Sequence, residues 1–256
     1  MPFADAHCHL DFDVFDSDRK ALVSQCASAE IELLIVPGVA RDNWDAVIEL
    51  SEGFAAIYPC IGLHPYFMEK HKEEDLTALE GMLSKYKQIV AVGEIGLDAT
   101  IDDLDRQVYF LERQIDIANQ FNLPVVLHSR NAHNLLLEVL KRKPVLRGGM
   151  LHGFSGSAEQ AKTFWSKGIY LGVGGVISYE RARKTKRAFS QAPLDSVVLE
   201  TDSPDMPLFG GQGARNTPLS IPLVYKEFCA LRTENEADIY RQLWLNVVNL
   251  FGIGKE

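Results

Sequence analysis

The sequence contains no C-x-x-C pair. Its four cysteines (Cys8, Cys26, Cys60 and Cys229) are scattered, which fits buried small hydrophobes in a reducing compartment and not a disulfide framework. No apolar run is long enough to cross a bilayer; Leu33 to Val39 is among the longest. No Walker A motif is present, and Gly172-Val173-Gly174-Gly175 opens no G-x-G-x-x-G helix, so neither an NTP nor a dinucleotide, nor any other organic cofactor, is expected. Positive charge is scarce as well. Lys and Arg number 26 against 35 Asp and Glu, a net charge of -9, which disfavours tight binding of duplex nucleic acid over a broad surface. Met1 to Asp5 carry neither a basic nor an apolar leader, so a cytoplasmic location without membrane contact is the expectation.

What is present is a single alternation from end to end, with no Pro/Ser/Gly-rich linker to divide it, which predicts one domain over residues 1–256. Short apolar or β-branched runs occur at 3–7, 33–39, 57–63, 89–92, 124–127, 149–151, 169–173 and 197–199. Between them lie segments of helical spacing. In 104–121, Leu104, Val108, Leu111, Ile115 and Ala118 recur at steps of three and four. Ser157-x-x-Gln160 and Thr233-x-x-Glu236 have the form of capping boxes at helix starts. The runs return about every 27 residues, close to one eighth of the ~250 residues of a (β/α)8 barrel. That TIM-type barrel is the predicted α/β fold, with an open doubly wound sheet as the competitor.

The ionisable residues cluster at the ends of these runs. His7 and His9 close the first and, two apart on a strand, face the same way. Glu94, His128, His152 and Asp202 follow later runs, at the carboxyl ends where barrels build active sites. His64 also sits at a run end, whereas His71 and His133 fall in helical or loop segments and read as structural. Four histidines and two carboxylates exceed the needs of one tetrahedral ion and suit two divalent ions sharing a bridging carboxylate. Donors of this kind without thiolate suit zinc, manganese or iron, with zinc the expected bound ion and manganese or magnesium compatible with activity. Cys8, between the two histidines, points away and packs.

At these residues the sequence resembles the TatD family of metal-dependent hydrolases, within the amidohydrolase-like barrels. The carriers are Asp5-Ala-His7-Cys-His9-Leu-Asp11, Gly62-Leu-His64-Pro65, Ala91-Val-Gly-Glu94-Ile-Gly-Leu-Asp98, Leu127-His128-Ser-Arg130, His152-Gly-Phe-Ser-Gly156 and Leu199-Glu-Thr-Asp202-Ser-Pro204. The stretches 172–179 and 205–208 resemble its YjjV-like branch. The resemblance implies one ion on His7, His9, Glu94 and Asp202 and a second on Glu94, His128 and His152. It also implies cleavage of phosphodiesters, commonly as a deoxyribonuclease. Two departures stand out: Arg215-Asn216-Thr217-Pro218 has Thr where the family often has Glu, and Leu243-Trp244-Leu245 lacks the usual Thr before Asn246.

The mechanism this predicts is attack by a metal-activated water, with Asp202 taking its proton and Glu94 bridging the ions. His64 and Arg130 are the candidate phosphate contacts, an ion pair to a rim carboxylate being the other reading of Arg130. The run Arg181 to Arg187 is the densest positive cluster, mostly a solvated helix face, and Lys184 is its one candidate substrate contact. Tyr66, Phe67 and Tyr179 are aromatics near strand ends, available for base stacking or for covering the core. The expected substrate is DNA or a short oligonucleotide. An amide or ester hydrolase (a deacylase) on the same site is the alternative, followed by a non-catalytic zinc scaffold.

Overall fold

The computed structural model describes residues 2–254. All eight apolar runs form parallel strands: β1 Phe3–Asp5, β2 Ile31–Gly38, β3 Ile57–Ile61, β4 Ala91–Asp98, β5 Val125–Arg130, β6 Gly149–Leu151, β7 Ile169–Val173 and β8 Val197–Leu199. They pair in sequence order. The Ala6 N–H donates to the Leu199 carbonyl at 2.9 Å across the remaining seam between β8 and β1, so the sheet closes into a barrel. The open doubly wound alternative is excluded. A right-handed crossover between parallel neighbours calls for a helix outside each pair of strands. These helices are α1 Arg19–Ser28, α2 Trp44–Gly53, α3 Glu73–Lys85, α4 Leu104–Gln120, α5 His133–Arg142, α6 Ala158–Trp165, α7 Arg183–Gln191 and α8 Ile221–Cys229. A last helix, α9 Glu236–Phe251, follows α8 directly.

Burial divides into two layers. The larger lies between strands and surrounding helices and includes Leu34, Val36, Val92, Ile95, Leu111, Ile115, Leu127, Phe154 and Phe189. The smaller fills the barrel itself: Ala4, Leu33, Ile35, Cys60, Ala91, Val126, Met150 and Val198 point inward, and Val247, Leu250 and Phe251 of α9 pack with them. The interior is therefore stoppered at the amino-terminal end of the strands, and chemistry is confined to the opposite mouth.

Two details depart from the sequence reading. The capping box at Ser157 and Gln160 forms as expected, but Thr233 and Glu236 make none. Asn235 caps α9 instead, its side chain accepting the Ala237 N–H at 2.8 Å. The fourth and fifth strands are also longer than their apolar runs. Glu94 and His128 lie within β4 and β5, so both strands stand above the rim.

Candidate metal centre

β1 ends at Asp5, and His7 and His9 ride on the extended segment beyond it, not on the strand. Backbone bonds hold that segment from both sides: Cys8 N–H to Ile35 O at 3.0 Å, His9 N–H to Ser203 O at 2.7 Å and Asp202 N–H to His7 O at 2.9 Å. The alternation survives outside the strand, so both imidazoles face inward and Cys8 is buried on the other side. Glu94 sits where the β4–β5 register shifts, between Val92 and Ile95. Gly96, at φ 151°, lets the strand continue there, because a Cβ would stand 2.0 Å from the His128 carbonyl oxygen. His152 follows β6 immediately. Asp202 lies three residues past β8 in a left-handed turn (φ 54°), which the Asp205 N–H closes on the Asp202 carbonyl at 2.9 Å.

The structure brings all six predicted ligands, and His64, to one point. Glu94 is the hub. Its Oε2 is 3.3 Å from His7 Nε2 and 3.4 Å from His9 Nε2. Its Oε1 is 2.8 Å from His152 Nε2, 3.2 Å from His128 Nδ1 and 2.9 Å from His64 Nε2. Asp202 Oδ1 is 3.3 Å from His7 Nε2 and 3.7 Å from His9 Nε2, and those two nitrogens are 3.2 Å apart. Donors about 2.0–2.2 Å from a tetrahedral ion are separated by about 3.3–3.6 Å. The separations among His7, His9, Glu94 and Asp202 cluster around that range, so this donor set fits a small divalent ion. His128 Nδ1 and His152 Nε2, 3.0 Å apart, each lie within 3.2 Å of Glu94 Oε1 and form with it a second converging group.

The charges are mutually dependent. Burial alone would raise the Glu94 carboxyl, but His64, His152 and His7 outweigh it and hold it well below the ordinary range. Burial opposes charge on His7, yet Glu94 and Asp202 overcome it and raise its pKa. His128 likewise rises to about 9 against burial, through Asp98 and Glu94. His64 differs. Burial pushes it down to about 4, aided by His128 and His152. It is therefore neutral, and its Nδ1 accepts the Tyr66 N–H at 3.0 Å, which puts the proton on Nε2. His64 thus faces the centre as a hydrogen-bond donor, not as a lone pair.

Several supporting residues carried no role in the sequence reading. Asp98 Oδ2 stands 3.4 Å from His128 Nε2, while its Oδ1 accepts from Thr100. The Gln114 side chain clamps the backbone of Leu63, next to His64, and Gln107 clamps that of Asp98. Their signal was visible as two glutamines seven apart on the apolar face of α4. Glu200 is fully buried, and its Oε1 accepts the Gly153 N–H at 2.5 Å, tying β8 to the residue after His152. A Cβ on Gly172 would meet Glu200 Oε2 at 2.3 Å, so that glycine makes room for the acid. Asp5 accepts from the His7 N–H, the Thr201 N–H and the Thr201 hydroxyl, fixing the seam between β1 and β8.

The centre opens into a cleft of about 700 Å³ lined by Tyr66, Phe67 and Arg130 among others. The Lys and Arg ion pairs among the described residues do not include Arg130, so the rim carboxylate envisaged for it is absent there. Lys184 is exposed on α7 and lines a neighbouring recess, not the cleft. Tyr179 stands apart, its hydroxyl donating to the Pro207 carbonyl. His71 and His133 are structural as expected: His71 Nε2 bonds the His64 carbonyl and His133 Nδ1 the Ser129 hydroxyl. At the two departures, Asn216 bonds the carbonyls of Thr201 and Asp205, and Asn246 those of Leu194 and Val197. Both support the β8 region without the Glu or Thr of the family pattern.

Comparison with known proteins matches residues 4–252 to the family described as TatD related DNase. The chain is 42% identical over 254 residues to the uncharacterized metal-dependent hydrolase YjjV of Escherichia coli strain K12, covering 98% of each. The crystal structure of that TatD homolog superposes with a TM-score of 0.95. A more distant relative is the 3'-5' ssDNA/RNA exonuclease TatD of Erwinia tasmaniensis, 27% identical over 97% of this chain and 99% of that one. With the family match spanning the barrel and the histidine–carboxylate cluster at its mouth, the chain belongs to the TatD family of metal-dependent hydrolases.

Proposed function

We propose that the protein is a phosphodiesterase of nuclease type that acts on DNA or short oligonucleotides with two divalent ions, zinc being the resident metal. The observation that carries this is the division of Glu94: Oε2 faces His7 and His9, and Oε1 faces His128 and His152. One carboxylate shared by two donor groups suits a two-ion site better than a single structural ion, which needs neither a second group nor an open side. His7, His9, Glu94 and Asp202 would hold one ion, and Glu94, His128 and His152 the other. Ions bound there supply an acidified water and a positive field for the phosphoryl oxygens.

The chain's own residues do the rest. Burial would raise the Asp202 carboxyl, but His152, His7 and His9 keep it below the ordinary range. It is therefore ionised at neutral pH and accepts the proton of the attacking water. As the water oxygen bonds to phosphorus, the ester P–O bond breaks and the proton passes from Asp202 to the departing alkoxide. His64 Nε2–H donates to a phosphoryl oxygen, and Arg130 at the mouth balances the charge that develops. Lys184, one recess away, reaches a substrate group beyond the scissile one.

The test is hydrolysis of a nitrophenyl phosphodiester and of a short oligonucleotide, alongside amide and ester panels, with zinc, manganese and magnesium in turn. His128→Ala, His152→Ala and Asp202→Asn should each lower turnover about a thousandfold in folded protein. Metal analysis should find two ions per chain. Amide turnover without phosphodiester turnover would replace this reading with the deacylase.

A further inference from the structure

We infer that the active cleft is electrostatically polarised, so that it selects a diester with a negatively charged substituent on one side and an uncharged or ammonium-bearing substituent on the other. This rests on the phosphodiesterase reading above and narrows its substrate. The cleft continues in two directions. Through Phe12, Val39, Phe67 and Asp205 it joins a chamber of about 920 Å³, built from the segments that follow β1, β2, β3 and β8. Through Asn131 and Ser155 it borders a recess of about 480 Å³ beyond β5 and β6. With eight strands in sequence order around the ring, these lie on opposite sides of the mouth.

Their charges are opposite. The chamber is lined by Asp11, Asp13, Asp42 and Asp205, against Lys70 and Arg215. Both cations are already engaged, Lys70 with Asp42 at 3.2 Å and Arg215 with Asp18 at 2.9 Å. Asp11 Oδ2 accepts from the Asn43 amide at 2.8 Å, and its Oδ1 is buried without a hydrogen-bond partner among the described residues. On the opposite side, the free cations are Arg130 in the cleft wall and Lys184 in the recess, neither in any ion pair among the described residues, while Asp98, the carboxylate beside Arg130 in that wall, is engaged by His128 and Thr100. A phosphate placed over the acidic chamber meets Asp13 and Asp205, carboxylates outside any Lys or Arg ion pair among the described residues. The same phosphate over the recess meets free cations. Each such charge, attractive on one side and repulsive on the other, changes the rate severalfold. Two or three of them sort substrates by tenfold or more.

A matched pair of substrates tests this: a thymidine dinucleotide carrying its additional phosphate at the 5′ end, and the isomer carrying it at the 3′ end. The two contain the same diester and differ in which side bears the extra charge. With the metal-loaded enzyme, kcat/KM should differ at least about tenfold between them, and the ratio should shrink as salt rises. Asp13→Asn combined with Asp42→Asn, both exposed and away from the cluster, should raise only the poorer substrate. Lys184→Ala should lower only the better one. Equal rates for the two isomers, or a ratio that neither variant moves, would overturn the inference. If no dinucleotide is hydrolysed with any ion, the phosphodiesterase reading fails separately, and calorimetric binding of the same pair then decides the polarity: unequal affinities uphold it, while equal or undetectable binding ends it.

Discussion

Burial weakens a carboxylic acid, and three acids near the rim meet that penalty differently. Glu94 is surrounded by imidazoles and stays ionised. Burial raises Asp5 to about 7 and Glu200 to about 8, and their partial hydrogen bonding offsets only part of it. In the unfolded chain both ionise near the ordinary values of 3.8 and 4.5. Folding of the metal-free protein therefore favours their protonated forms. That contribution is complete below about pH 4 and is withdrawn as pH rises through 7 and 8. His7 and His128, also raised, add to the same trend. Glu200→Gln copies the protonated acid and keeps an acceptor for the Gly153 N–H. Thermal unfolding in chelator should show the variant more stable than the parent at pH 8.5 and nearly equal at pH 5. A parent at least as stable as the variant at pH 8.5 would show that burial does not raise the Glu200 acid.

Among the elements, α9 has the clearest structural assignment. Val247, Leu250 and Phe251 enter the inner layer from below, far from the histidines. Leu250→Ala should cost about 2–5 kcal/mol, read by denaturant unfolding, while metal content and turnover at low temperature stay unchanged. A loss of bound metal in a fully folded variant would contradict this separation of stopper from site. The elements were largely legible in the sequence, because strands buried on both faces read as continuous β-branched runs. β4 was underestimated because Gly93 and Gly96 interrupt its apolar run, although they are what lets the strand bend past β5. At α9 the capping box read at Thr233 and Glu236 fails because the helix begins at Glu236 itself, with Asn235 as its cap. The converging histidines and carboxylates were legible by position. The donor character of His64 was not, since it depends on the Tyr66 backbone N–H.

For the whole molecule, the cluster draws on six of the eight strand units: His7 and His9 follow β1, His64 follows β3, Glu94 and His128 lie in β4 and β5, and His152 and Asp202 follow β6 and β8. Ions held there cross-link the mouth. Removing one ion present at a hundredfold excess over its dissociation constant should cost about 2.7 kcal/mol. At this chain length that lowers the melting temperature by about 5–10 °C, and adding the ion back should restore it. An unchanged melting curve in chelator would mean that the fold does not hold them. The spread of the donors also bears on how the protein can be re-engineered. No half ring of consecutive strands contains the complete set, which runs from His7 after β1 to Asp202 after β8. Trimming to fewer strands therefore cannot yield a miniature version, and a transplant into another eightfold scaffold has to carry the β4–β5 register shift and the left-handed turn at Asp202 along with the seven side chains.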